Sequence, residues 1–371
     1  LIEDVARLGG RGLAREEYYA EVTARLRRVV PSAAACWHTV DPHTHLLTSD
    51  APQELISGGI YTAETVTAAG ELLVASEYFV ADVNTFAGLA RRRTPVSTLT
   101  QATGGRPERS ARYRDLLAGS GIPHELRAAF VTRGRCWGAV HIARRDDQPD
   151  FTREDVAALA SITTLVAEGI RTSLRFDAGR RVGGGSAPGL VVLGPRNDVE
   201  LITAPARELF VAMRASTQPD RDETPPSPLL SLAAFTRANP IESDAGTVAV
   251  PTASGWITLH ASLPDGGATG RVAIVLERAP SPQSTAVALE AYGVTARERE
   301  IAGLLAAGLT NPEIAERLVL SPYTVQDHIK SLFEKTSVSS RQELVARVFL
   351  DDYLPHVAAR TPLTAAGEFA S

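Results

Sequence analysis

Between Val294 and Phe349 the sequence signals the start of a helix four times in close succession, and few folds can satisfy that pattern. Thr295 and Glu298 form a T-x-x-E capping box, in which side chain and backbone satisfy each other's unpaired groups. The apolar residues Ile301, Leu304 and Leu305 follow at helical spacing, and Gly308 ends the helix. Thr310 and Glu313 form a second box. Ser321 followed by Pro322 opens a third helix, with proline at the first helical position, where no amide partner is needed. Ser340 and Glu343 open a fourth. The second helix ends near Leu318, so only a tight turn separates it from the third. Two short helices joined this way, the second longer and amphipathic, form a helix-turn-helix. With Pro322 as its first residue, the third helix turns Val325, Ile329, Leu332 and Phe333 inward and Tyr323, Gln326, Asp327 and Lys330 outward.

The motifs run through all four helices: T-x-R-E-x-E at Thr295–Glu300, L-L-A-x-G-L-T-N at Leu304–Asn311, E-I-A-x-x-L at Glu313–Leu318, S-x-x-T-V-x-x-H at Ser321–His328 and S-x-x-E-L-V at Ser340–Val345. The segment resembles the DNA-binding domain of LuxR/FixJ-type transcription regulators. The resemblance implies an all-α four-helix domain over 289–350, double-stranded DNA as partner, and a third helix that enters the major groove. In the family, the positions matching Gln326, Asp327 and Lys330 face base edges, and Tyr323 lies beside them. Glutamine can pair with adenine and aspartate can accept from cytosine N4. Asp327 reads equally well as a solvated charge favoured by the helix dipole. The family often has lysine or arginine where Gln326 stands, so its consensus operator does not carry over. Asn311, Ser321, Thr324, Lys335 and Arg341 are the candidates for phosphate contacts: hydroxyls and amides at helix starts reach backbone oxygens, and the two cations neutralise them. His328 follows the family pattern and is expected to pack or to meet the backbone.

Charge bears on how such a domain would bind. The chain carries 38 Lys and Arg against 43 Asp and Glu, a net charge of −5. From Glu290 to Leu350 there are seven basic and eight acidic residues. Phosphate neutralisation supplies most non-specific affinity for DNA, so a near-neutral domain is expected to bind weakly alone and to act as a homodimer on two half-sites.

The 371 residues suffice for two or three domains, and 44% hydrophobic with 22% charged residues suits a soluble globular chain. No apolar run approaches the roughly 20 residues of a membrane span, and the opening LIEDVARLGGRG lacks a secretory apolar core. A cytoplasmic protein without membrane contact is expected. Low-order stretches divide the chain: a glycine-rich linker at 177–187, a proline-rich segment at 216–228, a short break at 280–284 and a weakly patterned tail at 351–371.

The expected fold class is multidomain. The first domain, 16–176, reads as α+β: a helix over Glu16–Val29, a hairpin from Ala33–Val40 and His43–Thr48, a helix leading into a strand over Tyr61–Phe79, and a second hairpin from Leu126–Thr132 and Cys136–Ala143. A long helix capped by Thr152 and Asp155 closes it. RGRCWGAVHIAR followed by FTREDVAAL resembles the end of a GAF domain, which implies a small-molecule sensing fold. The second domain, 188–279, reads as two strands, helices and three strands. That order, with the stretch Ala204–Phe210, is similar to a PAS domain; a generic α+β interaction domain is the alternative.

If the first domain senses a small molecule, Trp37, Tyr61, Tyr78, Phe79 and Trp137 are the candidates to line its pocket, without metal or cofactor. His38, His43 and His45 cluster around the first hairpin beside Cys36. With His43 and His45 on one strand face, ordinary turn histidines are preferred over a haem or metal site. Cys36 and Cys136 give no disulfide framework or zinc pattern and read as buried structural thiols, or as a redox pair if their strands adjoin. Leu159, Ile162, Val166, Ile170 and Ser173 recur at spacings of three and four, a stripe suited to a dimer seam or to the domain's own sheet. The catalytic motifs G-x-S-x-G, G-x-x-x-x-G-K-[ST] and H-E-x-x-H are missing, as is the acidic pair of a phosphoacceptor receiver, so a non-enzyme is expected. The residues thus point to a transcription regulator controlled by a signal in its N-terminal domains. The alternatives are a constitutive DNA-binding protein whose N-terminal domains bind partner proteins, and a thiol-redox sensor or enzyme built on Cys36 and Cys136.

Overall fold

The computed structural model describes residues 1–62, 65–178, 187–213, 225–239, 246–252, 255–264, 267–278, 289–306, 308–341 and 343–344. Most of the expected linker, most of the proline-rich stretch, the 280–284 break and the 351–371 tail lie outside them. The chain divides into two compact units, Leu1–Arg278 and Ala279–Ser371.

The first unit opens with α1 (Ile2–Gly9), α2 (Arg15–Leu26), β1 (Ala34–Val40) and β2 (Leu47–Ala51). There follow α3 (Gln53–Ser57), α4 (Thr65–Tyr78), α5 (Phe86–Ala90), β3 (Val96–Thr98), α6 (Leu99–Thr103), β4 (His124–Thr132) and β5 (Arg135–Arg144). The strands form one antiparallel sheet in the order β2-β1-β5-β4-β3. Cys36 pairs with His141 across β1 and β5, and His141 pairs with Arg127 across β5 and β4. Side chains alternate between faces, so Cys36, His38, His141 and Arg127 share one face and Trp37 and Val140 the other.

The Trp37 face is covered by α2 and by a later helix over Thr163–Ala178. Trp37 stacks between Tyr19 and Phe130, with ring centroids 5.0 and 5.2 Å away, and its Nε1 donates to the Thr23 hydroxyl at 2.8 Å. The expected closing helix is two helices, α7 (Arg153–Ala160) and α8 (Thr163–Ala178). The Thr152–Asp155 box caps α7. Between the two helices, the hydroxyls of Ser161 and Thr163 donate to the carbonyls of Ala158 and Ala160, and such local bonds compete with the helix ladder. Two glycines let α8 lie close. A Cβ on Gly138 would stand 2.6 Å from the Ile170 terminal methyl, and one on Gly169 would stand 2.0 Å from the Tyr18 hydroxyl. The stripe Leu159, Ile162, Val166, Ile170 and Ser173 is wholly buried within this unit, so it packs on the unit's own core and is not a free dimer seam.

Two further expectations are corrected here. The segment ending at Phe79 does not become a strand: α4 stays helical to Tyr78, whose hydroxyl accepts from the Leu47 amide. His43 and His45 are not strand neighbours. Asp41 Oδ1 accepts from the amides of His43 and Thr44 and from the Thr44 hydroxyl, folding this stretch into a turn in which His45 has φ +61°.

The second sheet belongs to the same unit. It comprises β6 (Gly189–Leu193), β7 (Val199–Ile202), β8 (Thr247–Thr252), β9 (Gly255–Ser262) and β10 (Val272–Glu277), with α9 (Ala204–Met213) and α10 (Ser227–Ala238) between β7 and β8. Its order, β7-β6-β10-β9-β8, repeats the second-first-fifth-fourth-third order of the first sheet. Its core gathers Val191, Leu193, Leu209, Phe210, Leu229, Leu232, Ile257, Leu259 and Ile274. Leu230 and Ala234 of α10 pack against Val74 of α4, and Arg15 of α2 donates to the Pro251 carbonyl at 2.9 Å.

The second unit is helical: α11 (Ala296–Ala306), α12 (Asn311–Leu318), α13 (Pro322–Thr336) and a helical start at Arg341. Ile301, Leu305, Ile314, Val325, Leu332 and Leu344 form its core, and Ile329 and Phe333 pack against it. Among the described residues of the chain, no helix is long and apolar enough to cross a membrane.

Candidate functional site

On the Cys36 face of the first sheet, under α4, lies a cavity of about 40 Å³ whose walls include Cys36, His38, Tyr61, Leu73, Glu125 and His141. A water needs roughly 10–15 Å³ measured this way, so the cavity has room for a few waters; drug-sized ligands occupy pockets of roughly 300–1,000 Å³. Five charged side chains are buried beside it. Arg112 pairs with Glu125 at 2.8 Å and Asp82 at 3.4 Å, and Arg127 pairs with Glu77 at 2.6 Å. The Arg127 guanidinium also lies 3.7 Å over the Phe86 ring. Burial works to raise the pKa of Glu125, but Arg112 and Arg127 outweigh it and hold it at about 2.

Burial holds His38 well below the ordinary histidine range, and the neighbouring His141 and Arg127 add to the effect. The Ser49 backbone pulls the other way, though not in hydrogen-bond geometry. Burial likewise lowers His141 to about 4, against the attraction of Glu125. Both rings are therefore neutral near pH 7. Among the described residues, neither nitrogen of His38 has a hydrogen-bond partner, nor has Nδ1 of His141. Each such buried group costs about 1–3 kcal/mol. The donor atoms of Cys36, His38 and His141 all lie within 4.8 Å of one another.

Of the five residues expected to line a ligand pocket, Tyr61 reaches the cavity. Trp37 faces away from it in its aromatic stack, Tyr78 bonds to β2, Phe79 is 46% exposed and Trp137 is buried in the core. The two cysteines are not neighbours. Cys36 stands opposite His141, and Cys136 lies five residues further along β5, roughly 16 Å at strand rise. A disulfide needs Cα atoms within about 7 Å, so the redox pair does not form within this fold. Burial pushes the Cys136 thiol up to about 12, despite hydrogen bonds with the Gly138 and Phe130 backbone, which leaves it unreactive.

In the helical unit, local capping builds the geometry. Glu298 accepts from the Thr295 amide at 2.7 Å while the Thr295 hydroxyl accepts from the Glu298 amide at 3.2 Å. Glu313 accepts from the Thr310 amide and hydroxyl at 2.6 and 2.7 Å. Ser321 Oγ accepts from the Thr324 amide at 3.1 Å and starts α13. In the fourth start, Ser340 Oγ accepts from the Glu343 amide, but the Glu343 carboxylate accepts from Ser339 instead of Ser340. Glu298 has a second role: it accepts from the Ser331 hydroxyl at 2.7 Å and pairs with Lys335, so α11 grips α13. The turn between α12 and α13 passes through Val319, which has φ +54° and is 92% exposed. The outward face of α13 then presents Tyr323, 81% exposed, with Gln326, Asp327 and Lys330 also exposed.

Residues 293–348 match the family model of bacterial regulatory proteins, luxR family (GerE). This segment is a luxR-family helix-turn-helix domain. The chain is 44% identical over 57 residues to the monoamine regulon transcriptional regulator of Klebsiella aerogenes, covering 15% of this chain and 25% of that protein. It is 48% identical over 56 residues to the transcriptional regulatory protein UhpA of Escherichia coli, covering 15% and 29%. Against the probable regulatory protein SgaR of Hyphomicrobium methylovorum it is 49% identical over 53 residues, 14% and 25%. The chain thus spans about a quarter of the length of these curated relatives. A crystal structure of the phage VqmA–DPO complex aligns over 52% of this chain and 95% of that one at 17% identity and a TM-score of 0.18, too low to bear on the fold.

Within the luxR-family domain, the four residues expected at base edges share one exposed helix face. The five phosphate candidates separate into two groups. Asn311, Ser321 and Thr324 stand at the N-terminal ends of α12 and α13. Lys335 is held by Glu298, and Arg341 Nη2 donates to the carbonyls of Leu305 at 2.8 Å and Leu309 at 2.6 Å. Both cations therefore have structural partners inside the domain. Glu298 as an anchor for α13 was missed by sequence reasoning, because its partners lie more than thirty residues away and only the capping signal is local.

Proposed function

We propose that the chain is a cytoplasmic, homodimeric, sequence-specific DNA-binding transcription regulator. The observation that carries this reading is the α13 face: Tyr323, Gln326, Asp327 and Lys330 exposed together on the second helix of a luxR-family helix-turn-helix. Gln326, Asp327 and Lys330 read base edges in the major groove, and Asn311, Ser321 and Thr324 meet phosphates. The near-neutral charge of the domain supports action as a dimer on paired half-sites. The first unit supplies the signal, through a GAF-like domain at 16–176 and a PAS-like domain at 188–279, with the described element orders in support. Tyr61 and the cavity it lines are the place for a small ligand. Selection of genomic fragments bound by the full-length chain tests the reading. Enrichment of one motif, lost in Lys330→Ala, is expected; equal retention of all fragments would reject it.

The small cavity favours a second reading, a constitutive DNA-binding regulator whose first unit docks partner proteins. A thermal-shift screen against metabolites separates the two. Ligand-dependent melting coupled to operator affinity by about 1–3 kcal/mol supports sensing, and its absence supports docking.

A further inference from the structure

We propose that Cys36, His38 and His141 form a binding site for a divalent transition metal of the zinc class, with the fourth coordination position open to the adjoining cavity. The site is independent of whether the chain binds DNA.

The strand register builds it. Cys36 and His141 are direct cross-strand partners, and His38 lies two residues along β1 on the same face, diagonal to His141. One thiolate and two imidazoles are a ligand set that zinc takes. The donor atoms lie within 4.8 Å of one another. A tetrahedral ion with bonds of about 2.0–2.3 Å holds its ligands roughly 3.3–3.8 Å apart, so closure requires side-chain movements of about 1 Å.

Three observations point to a ligand here. Among the described residues, both ring nitrogens of the buried His38 and Nδ1 of the buried His141 lack hydrogen-bond partners, although buried polar groups are almost always satisfied. The cavity between the three residues and α4 has room for a water, which zinc sites with three protein ligands keep at the fourth position. Charge also fits: among the described residues, Glu77, Asp82 and Glu125 pair with Arg112 and Arg127 alone, so this buried cluster carries one negative charge in excess. A divalent ion bound by one thiolate and two neutral imidazoles contributes one positive charge. Binding releases the thiol proton to solvent and involves no redox step.

The test is titration of untagged, metal-free full-length protein with Co2+, followed by displacement with Zn2+. The expected result is one equivalent bound, with a thiolate-to-cobalt charge-transfer band and intense visible bands of tetrahedral coordination, both erased by Zn2+. Cys36→Ser should abolish the charge-transfer band, and His38→Gln and His141→Gln should each weaken binding by more than about 100-fold. Cys136→Ser should change nothing. Should a histidine variant not fold, the near-isosteric Cys36→Ser decides, because Zn2+ should raise the Tm of wild type and not of this variant. Absence of the band at stoichiometric Co2+, its survival in Cys36→Ser, or equal protection of both proteins by Zn2+ would overturn the proposal.

Discussion

Lys335 Nζ lies 2.6 Å from both carboxylate oxygens of Glu298, tying the last turn of α13 to the first turn of α11. Glu298 also caps its own helix and accepts from Ser331, so one carboxylate fixes the recognition helix within its domain. Glu298→Gln should cost about 1–3 kcal/mol by weakening charge-assisted bonds. The effect should depend on pH. Burial tends to raise the Glu298 pKa, but Lys335, the Thr295 backbone and Ser331 lower it from 4.5 to about 2. A depressed carboxylate pKa stabilises the fold fully above the unfolded value and loses that contribution as pH falls from about 4.5 towards 2. Urea unfolding of wild type and Glu298→Gln at pH 7 and pH 3 should show the gap narrowing in acid; a constant gap would count against the assignment.

The two lysines of α13 should separate. Lys330 is exposed and makes no ion pair with any described residue, so Lys330→Ala should abolish specific DNA binding while leaving Tm unchanged. Lys335→Ala should lower domain stability through loss of Glu298. If Lys335 also meets phosphate, it should reduce the slope of log affinity against log salt by about one. Unchanged salt slope with lowered Tm would confine Lys335 to its structural role.

Val319 holds a left-handed backbone at the helix-turn-helix corner, where a β-branched residue pays about 1–2 kcal/mol. Its side chain is 92% exposed, so little packing is at stake. Val319→Gly should therefore stabilise the domain by up to about 1 kcal/mol, after the greater freedom of glycine in the unfolded chain is subtracted. A lower urea midpoint for the variant would contradict this.

The same substitution should act with opposite sign at two glycines. Gly169→Ala places a Cβ 2.0 Å from the Tyr18 hydroxyl and should destabilise the first unit by about 1–3 kcal/mol. Gly303 lies within α11 with nothing within 4 Å of an added Cβ, so Gly303→Ala should stabilise by about 0.5–1 kcal/mol. Thermal unfolding of both variants checks the pair.

The helical unit was the most legible part of the sequence, because capping boxes are local: Thr295 with Glu298, and Ser321 with Pro322, announce helices within four residues. The second hairpin of the first sheet, β4 with β5, was legible for the same reason; the first was legible only in β1, because the Asp41 turn carries the chain to Leu47 before β2 begins. Other features were hidden because they depend on distant partners. His141 belongs with Cys36 and His38 only through a register more than one hundred residues long in sequence. The five-residue helix over Phe86–Ala90 and the three-residue strand Val96–Thr98 are too short to carry a period. Trp37 reads as a pocket residue until the sheet's alternation assigns it to the other face. The shared strand order of the two sheets leaves no trace as a sequence repeat, since topology needs only compatible patterns and not identical residues.

One helix separates the cavity from the second sheet. On one side of α4, Val66, Ala69, Gly70 and Leu73 form the cavity wall; on the other, Val74 meets Leu230 and Ala234 of α10. At Gly70 the partition is a single backbone thick, and a Cβ there would stand 3.7 Å from Ser227 Oγ of α10. Close-packed interiors shift rather than compress. An outward shift of α4 at this point would meet α10 directly, with no side chain on Gly70 to absorb it. The wall of one sheet's hollow is thus also the floor on which the other sheet's helix rests.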